Sequence, residues 1–397
     1  MHLPVIIILL LISLCPLSPA LADELDDLLT GFTEETDNSE REELDQLLDG
    51  FDDVPGVTTD SDGQESGLPE WLDFQGSISG QITGGFAHEK PGPGEPDYRG
   101  LSMLRTRVEL ISDLSRGAWK ARFGVKGFFD AIYSLEGRSK YTDELLNEYE
   151  KELEFSEAWV QGSMGEGFDL KVGRQIVVWG RSDNIRITDI LNPLDLRQPG
   201  IVDIRDLRLP VFMTRLDYYV GNFHISPLMV HEPRFDKTPV YNGEFFPGIG
   251  PAPPASEPSV SLDNQQYGIA VDGVFSGWDF SLYTGSFYDN GAHIELNPAA
   301  RPVRKYSRLA MVGAASNLVM GNWLLKGEIA GFDGLEFANA PNEDFSRLDL
   351  LAGFEYTGFT ETVIAVEIAN RHLFDFDSKL ADLPDGKQED LLQSVIR

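Results

Sequence analysis

From residue 72 onward the chain alternates apolar and polar positions with a period of two. The segments "LDFQGSISGQITGGFAHE", "SMLRTRVELISDLS", "AWKARFGVKGFFDAIYS" and "LEFSEAWVQGSMG" are rich in aromatic and β-branched residues, the signature of strands. Short glycine turns followed by an aromatic recur at Gly117-Ala118-Trp119, Gly167-Phe168, Gly221-Asn222-Phe223, Gly277-Trp278, Gly321-Asn322-Trp323 and Gly358-Phe359. Each interval between them holds two strands and one longer loop. Short turns at one end, long loops at the other and an aromatic beside every short turn describe a transmembrane antiparallel β-barrel, an all-β fold. A soluble sandwich shares the alternation but has no reason to repeat the aromatic.

The pattern predicts about 13 strands, starting near residues 72, 102, 118, 153, 167, 210, 222, 266, 278, 305, 322, 346 and 361. The long loops are then 89–101, 134–151, 181–208, 233–264, 290–304 and 334–345. An odd count leaves the two chain ends on opposite sides of a membrane, whereas bacterial single-chain barrels have even numbers. The polar ending "DGKQEDLLQSVIR" shows neither a final strand nor a terminal aromatic, so either the count is wrong by one strand or residues 378–397 are the start of an extracellular loop in a C-terminally truncated barrel, the reading favoured here.

Alternation also assigns sides, because a charge facing lipid at mid-depth costs about 2–4 kcal/mol. Arg105, Arg107 and Glu109 on one strand and Lys120, Arg122 and Lys126 on the next face inward, with Lys171 and Gln175 further along. Parity places Arg174 with the lipid-facing Phe168, Leu170 and Val172, unless a bulge at Gly173 turns it inward as a further pore-lining group. These residues either line an open lumen that favours polar or anionic solutes, or form a wall neutralised by Glu109, Glu152, Glu154 and Glu157.

The loop 181–208 stands apart. It holds five Arg, five Asp and no Lys, interspersed with Ile185, Ile187, Ile190, Leu191 and Leu194. Balanced charge with apolar residues argues for a loop that packs. Folded into the mouth it would form a constriction through Arg181, Asp183, Arg186, Asp189, Asp195, Arg197, Asp203 and Arg205; the alternative is a salt-bridged loop over the rim.

Residues 1–22 read as a signal peptide, with an apolar core at Val5–Leu14 and the small-x-small pattern Ala20-Leu21-Ala22, and residues 71–397 as the barrel domain. The only Cys, Cys15, falls in the removed segment, so the exported chain forms no disulfide. Formal net charge is −33, of which residues 23–70 supply −17, and so acidic a chain is a poor partner for nucleic acid. That acidic arm, largely disordered and placed in the periplasm, contains a repeat, "ELDDLLTGF" and "ELDQLLDGF". Leu25, Leu28, Leu29 and Phe32, and again Leu44, Leu47, Leu48 and Phe51, lie on one face of a short helix, either a docking motif for a periplasmic protein or no more than nascent helical turns.

No cofactor or metal-ligand spacing is visible. His224, Ser226 and His231 are neighbours in sequence without a motif that would orient a nucleophile and base, so the chain does not read as an enzyme.

"KVGRQIVVWGRSDNIRITDILNPLDLRQPG", preceded by "FSEAWVQG" and followed by "RLPVFMTRLDYY", resembles an uncharacterised porin-like outer-membrane β-barrel family often encoded beside resistance-nodulation-division (RND) type exporters in Gram-negative bacteria. The resemblance runs from about Trp71 to Asp375, with Gly173-Arg174-Gln175, Trp179-Gly180 and Asn192-Pro193 as its specific core. It implies a barrel in outer-membrane lipid and suggests transport, as a channel or as the outer-membrane component of an export system. A non-conducting anchor whose arm recruits a partner is the alternative. The resemblance supplies neither a substrate nor catalytic residues.

Overall fold

A computed structural model describes residues 69–86, 88–92, 94–200, 207–248, 250–297 and 299–397. The signal segment and the repeat carrying Leu25 to Phe51 lie outside the described residues. Within the compact unit Pro69–Arg397, fourteen antiparallel strands form one sheet. They are β1 (Leu72–Gly85), β2 (Gly100–Arg116), β3 (Trp119–Asp130), β4 (Lys151–Gly165), β5 (Phe168–Gln175), β6 (Val211–Val220), β7 (Phe223–Val230), β8 (Gln266–Phe275) and β9 (Trp278–Tyr288). After a separate hairpin of β10 (His293–Leu296) and β11 (Pro302–Lys305), the sheet continues with β12 (Arg308–Met320), β13 (Trp323–Phe337), β14 (Ala340–Phe359), β15 (Thr362–Leu373) and β16 (Asp390–Ile396). Each strand pairs with its sequence neighbour, β9 pairing with β12, and β1 and β16 are the edges.

Six two-residue turns close the short side, between Arg116 and Trp119, Gly165 and Phe168, Val220 and Phe223, Phe275 and Trp278, Met320 and Trp323, and Phe359 and Thr362. Gly221, at φ 56°, shows why glycine recurs there: tight hairpin turns need left-handed backbone that a Cβ disfavours. The sixth turn is Thr360-Glu361 instead of one at Gly358, with Glu361 itself at φ 56°. A register shift between Tyr356 and Phe359 keeps Phe359 on the outer face. Trp119, Phe168, Phe223, Trp278, Trp323 and Phe359 are all exposed, 40–54%. They ring one end of a face that also exposes Ile78, Ile82, Phe123, Phe155 and Ile368, far more apolar surface than a water-soluble domain tolerates.

Three expectations are corrected. Residues 390–396 are a strand paired with β15, so the ending is not wholly loop. Its apolar residues fall on both faces of "DLLQSVI", which hides the period-two signal. The expected loop 334–345 is mostly a continuation of β13 and β14 around Ala338-Asn339. The loop at 134–151 contains two short helices, α1 (Ile132–Glu136) and α2 (Asp143–Tyr149), the latter capped where the Thr142 hydroxyl accepts from Leu145 N–H at 3.3 Å. Leu145, Leu146 and Tyr149 form its buried face, at the helical spacing i, i+1, i+4. Among the described residues no helix is long and apolar enough to cross a membrane.

Candidate functional site

Cross-strand register places the charged residues of β2 and β3 on one face. Arg105 lies opposite Asp130, Arg107 opposite Phe128, Glu109 opposite Lys126, Asp113 opposite Arg122 and Ser115 opposite Lys120. The same face continues through Glu152, Glu154, Trp159 and Gln161 of β4 to Asp169, Lys171, Gly173 and Gln175 of β5. A register shift after Phe123 lets β4 insert one extra residue at Ser156–Glu157 and swing Glu157 onto Arg122. This face curls inward. The segment between β5 and β6 touches β2, β4, β9, β13 and β15 from the same side, and a flat sheet would hold β2 and β15 about 50 Å apart.

Most wall cations are paired. Arg122 makes two hydrogen bonds to Asp113, at 2.8 and 3.1 Å, and one to Glu157 at 3.2 Å. Lys126 lies 3.6 Å from Glu154, and the Lys171 ammonium sits 3.9 Å from the centre of the Trp159 ring. Arg105 is 6% exposed, 3.4 Å from Asp130 and 4.0 Å over the Phe128 ring. Arg107 and Lys120 are exposed and form no ion pair with any described residue.

Gly173 carries φ 136°, yet the register of β5 with β4 and β6 runs through it without a shift. Arg174 therefore stays on the outer face, contrary to the bulge that would have made it pore-lining, and pairs there with Glu232. Gly173 serves close packing instead: a Cβ would stand 2.2 Å from the Ala158 carbonyl oxygen. Gln175 faces inward but is fully buried, its Nε2 donating to the Met213 carbonyl at 3.2 Å.

The Arg/Asp loop is folded onto the inner face. Glu328 of β13 accepts from Arg181 N–H at 2.5 Å and Ser182 N–H at 2.6 Å through one oxygen. Its other oxygen accepts from Thr188 N–H and hydroxyl at 3.2 and 2.9 Å. Glu367 of β15 accepts from the Ser182 hydroxyl at 2.9 Å and from the N–H groups of Asp183, Asn184 and Ile185 at 2.9–3.2 Å. Both carboxylates are buried, 5% and 4% exposed, and each is satisfied by peptide donors, as an anion-binding nest satisfies its ligand. Around them Arg181 bonds Asp279 and Ser281 at 2.7 Å, and Asp183 pairs with Lys326. Asp189 takes Arg186 at 3.0 Å and Arg208 at 2.7 Å.

At the other end of the loop, Arg197 bonds Asp195 and Glu152 at 2.6 Å and Glu148 at 3.2 Å. Burial depresses the Arg197 guanidinium, but its carboxylate partners more than reverse this and hold it above its usual value. Asp203 and Arg205 lie outside the described residues.

Apolar residues complete the attachment. Val177, Trp179, Ile185, Ile187 and Leu191 pack against Met213, Leu228, Tyr283, Phe287, Met311 and Phe332 from the inner faces of β6 to β13. Trp179 stacks on Tyr283 at 4.8 Å and meets Phe287 edge-on at 5.6 Å. On that side the interior is filled. On the other, β1 turns Asp73, Gln75, Ser77, Ser79, Gln81 and Thr83 toward the same face, all exposed or half-buried. An open cleft remains between the loop and the wall of β2 to β4, lined by Arg107, Lys126, Phe128, Glu148, Glu152 and Arg197 among others.

Sequence reasoning missed Glu328 and Glu367. The signal was present: each is an acid at an inward position within a short apolar run, "GEIAGF" and "VIAVEIA". Ser226 donates to Asp217 at 2.8 Å, while both nitrogens of His224 face carboxylates, Asp217 at 2.9 Å and Asp272 at 3.1 Å. The hydroxyl thus has no imidazole base beside it. Among the described residues no group of His, Cys, Asp or Glu could hold a metal.

A comparison with curated proteins finds no match. Solved structures with a similar course of chain include a porin refined at 1.8 Å resolution, 13% identical over 77% of this chain and 85% of that one, with a TM-score of 0.38. OmpT of Vibrio cholerae is 10% identical over 76% and 78%, TM-score 0.38, and OprB of Pseudomonas putida 12% identical over 77% and 75%, TM-score 0.36. The strand ladder and the loop contacts, not these distant likenesses, establish the barrel-like architecture. A family model matches residues 94–393, well over half the sequence, and the chain belongs to the family it describes, "Protein of unknown function (DUF1302)".

Proposed function

We propose that the chain is an outer-membrane β-barrel that passes small polar or anionic solutes along a narrow, off-centre path, as a channel or as the outer-membrane component of an RND-type export system. The observation that carries this reading is the division of the interior. The loop packs through an apolar core on β6 to β13, leaving the polar face of β1 to β4 lined by water-seeking groups. An apolar outer face rimmed by aromatics beside an inner face of charge is the arrangement a lipid bilayer selects. In this reading Arg105, Arg107, Glu109, Lys120, Arg122 and Lys126 set the electrostatics of the path, and the loop narrows it.

Planar-bilayer recordings of the full chain test the proposal. A small steady conductance is expected, rising several-fold when residues 182–188 are replaced by a short Gly-Ser linker. The filled half of the interior favours one alternative, a non-conducting anchor whose acidic arm recruits a periplasmic protein. Absence of current in parent and shortened-loop protein alike, with partner recovery lost in Phe32→Ala and Phe51→Ala, would replace the channel reading by that one.

A further inference from the structure

The cleft between the loop and the β2–β4 wall brings together charges of both signs, and they are not equally satisfied. Arg107 is exposed and has no ion pair with any described residue. The neighbouring cations are engaged: Arg105 by Asp130, Lys126 by Glu154, Arg197 by three carboxylates. Among the acids, Glu152 is held by both Arg197 and Lys237, and Glu154 by Arg234, Lys237 and Lys126. Glu148, on α2, is the least engaged. Its side chain is 42% exposed and makes one ion pair, at 3.2 Å, to an arginine whose stronger contacts go to Asp195 and Glu152. The cleft therefore offers an unmatched cation on β2 and an under-used anion on α2. Register sets the scale across the wall. Arg107 lies opposite Phe128 and Phe128 opposite Glu152, so Arg107 and Glu152 stand about 10 Å apart at the backbone, and Glu148, on the helix that leads into the strand of Glu152, lines the same cleft.

From this geometry we infer that the cleft is a binding station for a small zwitterion, a molecule carrying a carboxylate and an ammonium group a few bonds apart, with the carboxylate on Arg107 and the ammonium toward Glu148. A plain anion gains only Arg107 and meets four acids, Glu148, Glu152, Glu154 and Asp195, in the same cleft, within a chain of net charge −33. A plain cation meets Arg107, Lys126 and Arg197. A zwitterion satisfies both unmatched groups and adds no net charge to a partly desolvated space, where each unpaired charge is costly. The inference deepens the proposed solute path by naming the chemistry that path favours. Its test requires no current, so it fails or stands independently of the channel reading.

The measurement is calorimetric titration of the detergent-solubilised full chain with 4-aminobutyrate, butyrate and butylamine, which share a hydrocarbon and differ in charge. The zwitterion is expected to bind at least tenfold more tightly than either singly charged probe. Arg107→Gln should weaken it about tenfold, and Glu148→Gln should weaken the zwitterion while leaving butyrate unchanged. Both side chains are exposed and neither holds the fold together, so the variants should keep the heat-modifiable mobility of the parent. Butyrate binding as tightly as 4-aminobutyrate, no effect of Glu148→Gln, or no heat with any probe would each overturn the inference. Replacing the polar β1 residues Ser77 and Ser79 by Ala provides a control on the same wall, expected to alter binding less than twofold.

Discussion

Glu328 and Glu367 make the loop's conformation a matter of single atoms. Because their oxygens receive peptide N–H groups, no side chain on the loop can be exchanged to supply the same contacts; the backbone itself must come close. Gly180 permits that approach. It adopts φ 96°, and a Cβ there would lie 2.5 Å from Thr188 Oγ1 and 2.7 and 2.8 Å from the two Glu328 oxygens. Gly180→Ala should therefore loosen the loop by roughly 1–3 kcal/mol, through backbone strain and lost hydrogen bonds together. Limited proteolysis between residues 180 and 208 is the readout, and cleavage no faster than in the parent would show that the carboxylates do not depend on this glycine. Neither acid could be assigned this partner from sequence alone. Inward parity marks them as unusual, but the peptides they bind lie about 140–185 residues away in the chain.

Asp236, in the segment after β7, adds a pH dependence at the same scale. Burial raises its carboxyl to about 6, opposed by a hydrogen bond from Leu194 N–H at 2.7 Å and by Arg186, and reinforced by Asp289. A raised folded-state value means that the folded protein takes up this proton before the unfolded chain does. Stability is gained as pH falls through about 6 toward the ordinary value of 3.8, and the penalty of the buried charge is fully present above 6. Asp236→Asn keeps an acceptor for Leu194 and removes the charge. It should stabilise the chain at pH 7.5 by on the order of 1 kcal/mol and flatten this part of the profile between pH 4 and 6, read by thermal unfolding in detergent. A variant less stable than the parent at pH 7.5 would mean that the carboxylate's hydrogen bond outweighs its desolvation.

At the scale of elements, the loop is attached by packing as much as by charge. Trp179 is 3% exposed between Tyr283 and Phe287. Removing a buried indole leaves a cavity that typically costs 3–5 kcal/mol. Trp179→Ala should thus release the loop more completely than loss of one surface ion pair, which is worth at most about 1 kcal/mol. In bilayers the expected effect is a larger and noisier conductance, whereas Lys140→Gln, which breaks the exposed pair with Glu136, should change it little. The elements themselves were unevenly legible. Thirteen strands follow from alternation and two-residue turns, because both signals are local in sequence. The helix α2 is hidden in the sequence because "DELLNEY" supplies two helical turns, too little for a periodic pattern to stand out from a charged loop. The apolar residues of the loop announced that it packs, while the partner strands β6 to β13 could not be distinguished from lipid-facing strands by composition: Met213, Leu228 and Met311 face inward and are as apolar as residues facing out.

Over the whole molecule, the assignment of inner and outer faces makes a claim about the six tryptophans. Trp119, Trp278 and Trp323 are 43–53% exposed on the apolar outer side, Trp71 is 47% exposed just ahead of β1, and Trp159 and Trp179 lie on the inner side, one beneath Lys171 and the other within the loop's core. If the sheet stands in a bilayer with the short turns at one headgroup layer, the hairpin tryptophans 119, 278 and 323 share one depth, where amphipathic rings are favoured. Variants retaining a single tryptophan, reconstituted with lipids brominated at defined chain positions, report this directly. Bromines near the headgroups should quench Trp119, Trp278 and Trp323 to similar extents, bromines deep in the chains should quench them less, and Trp179 should be quenched by neither. Equal quenching of Trp179 and Trp119 would mean that the loop-bearing face is in contact with lipid. The charged ladder of β2 and β3 would then face hydrocarbon at about 2–4 kcal/mol per cation at mid-depth, a cost the observed pairing of Arg122 with Asp113 and Glu157 could not offset at every position, because Arg107 and Lys120 have no ion-pair partner among the described residues. The same measurement therefore decides which face meets lipid and whether the cations of this acidic chain line its interior.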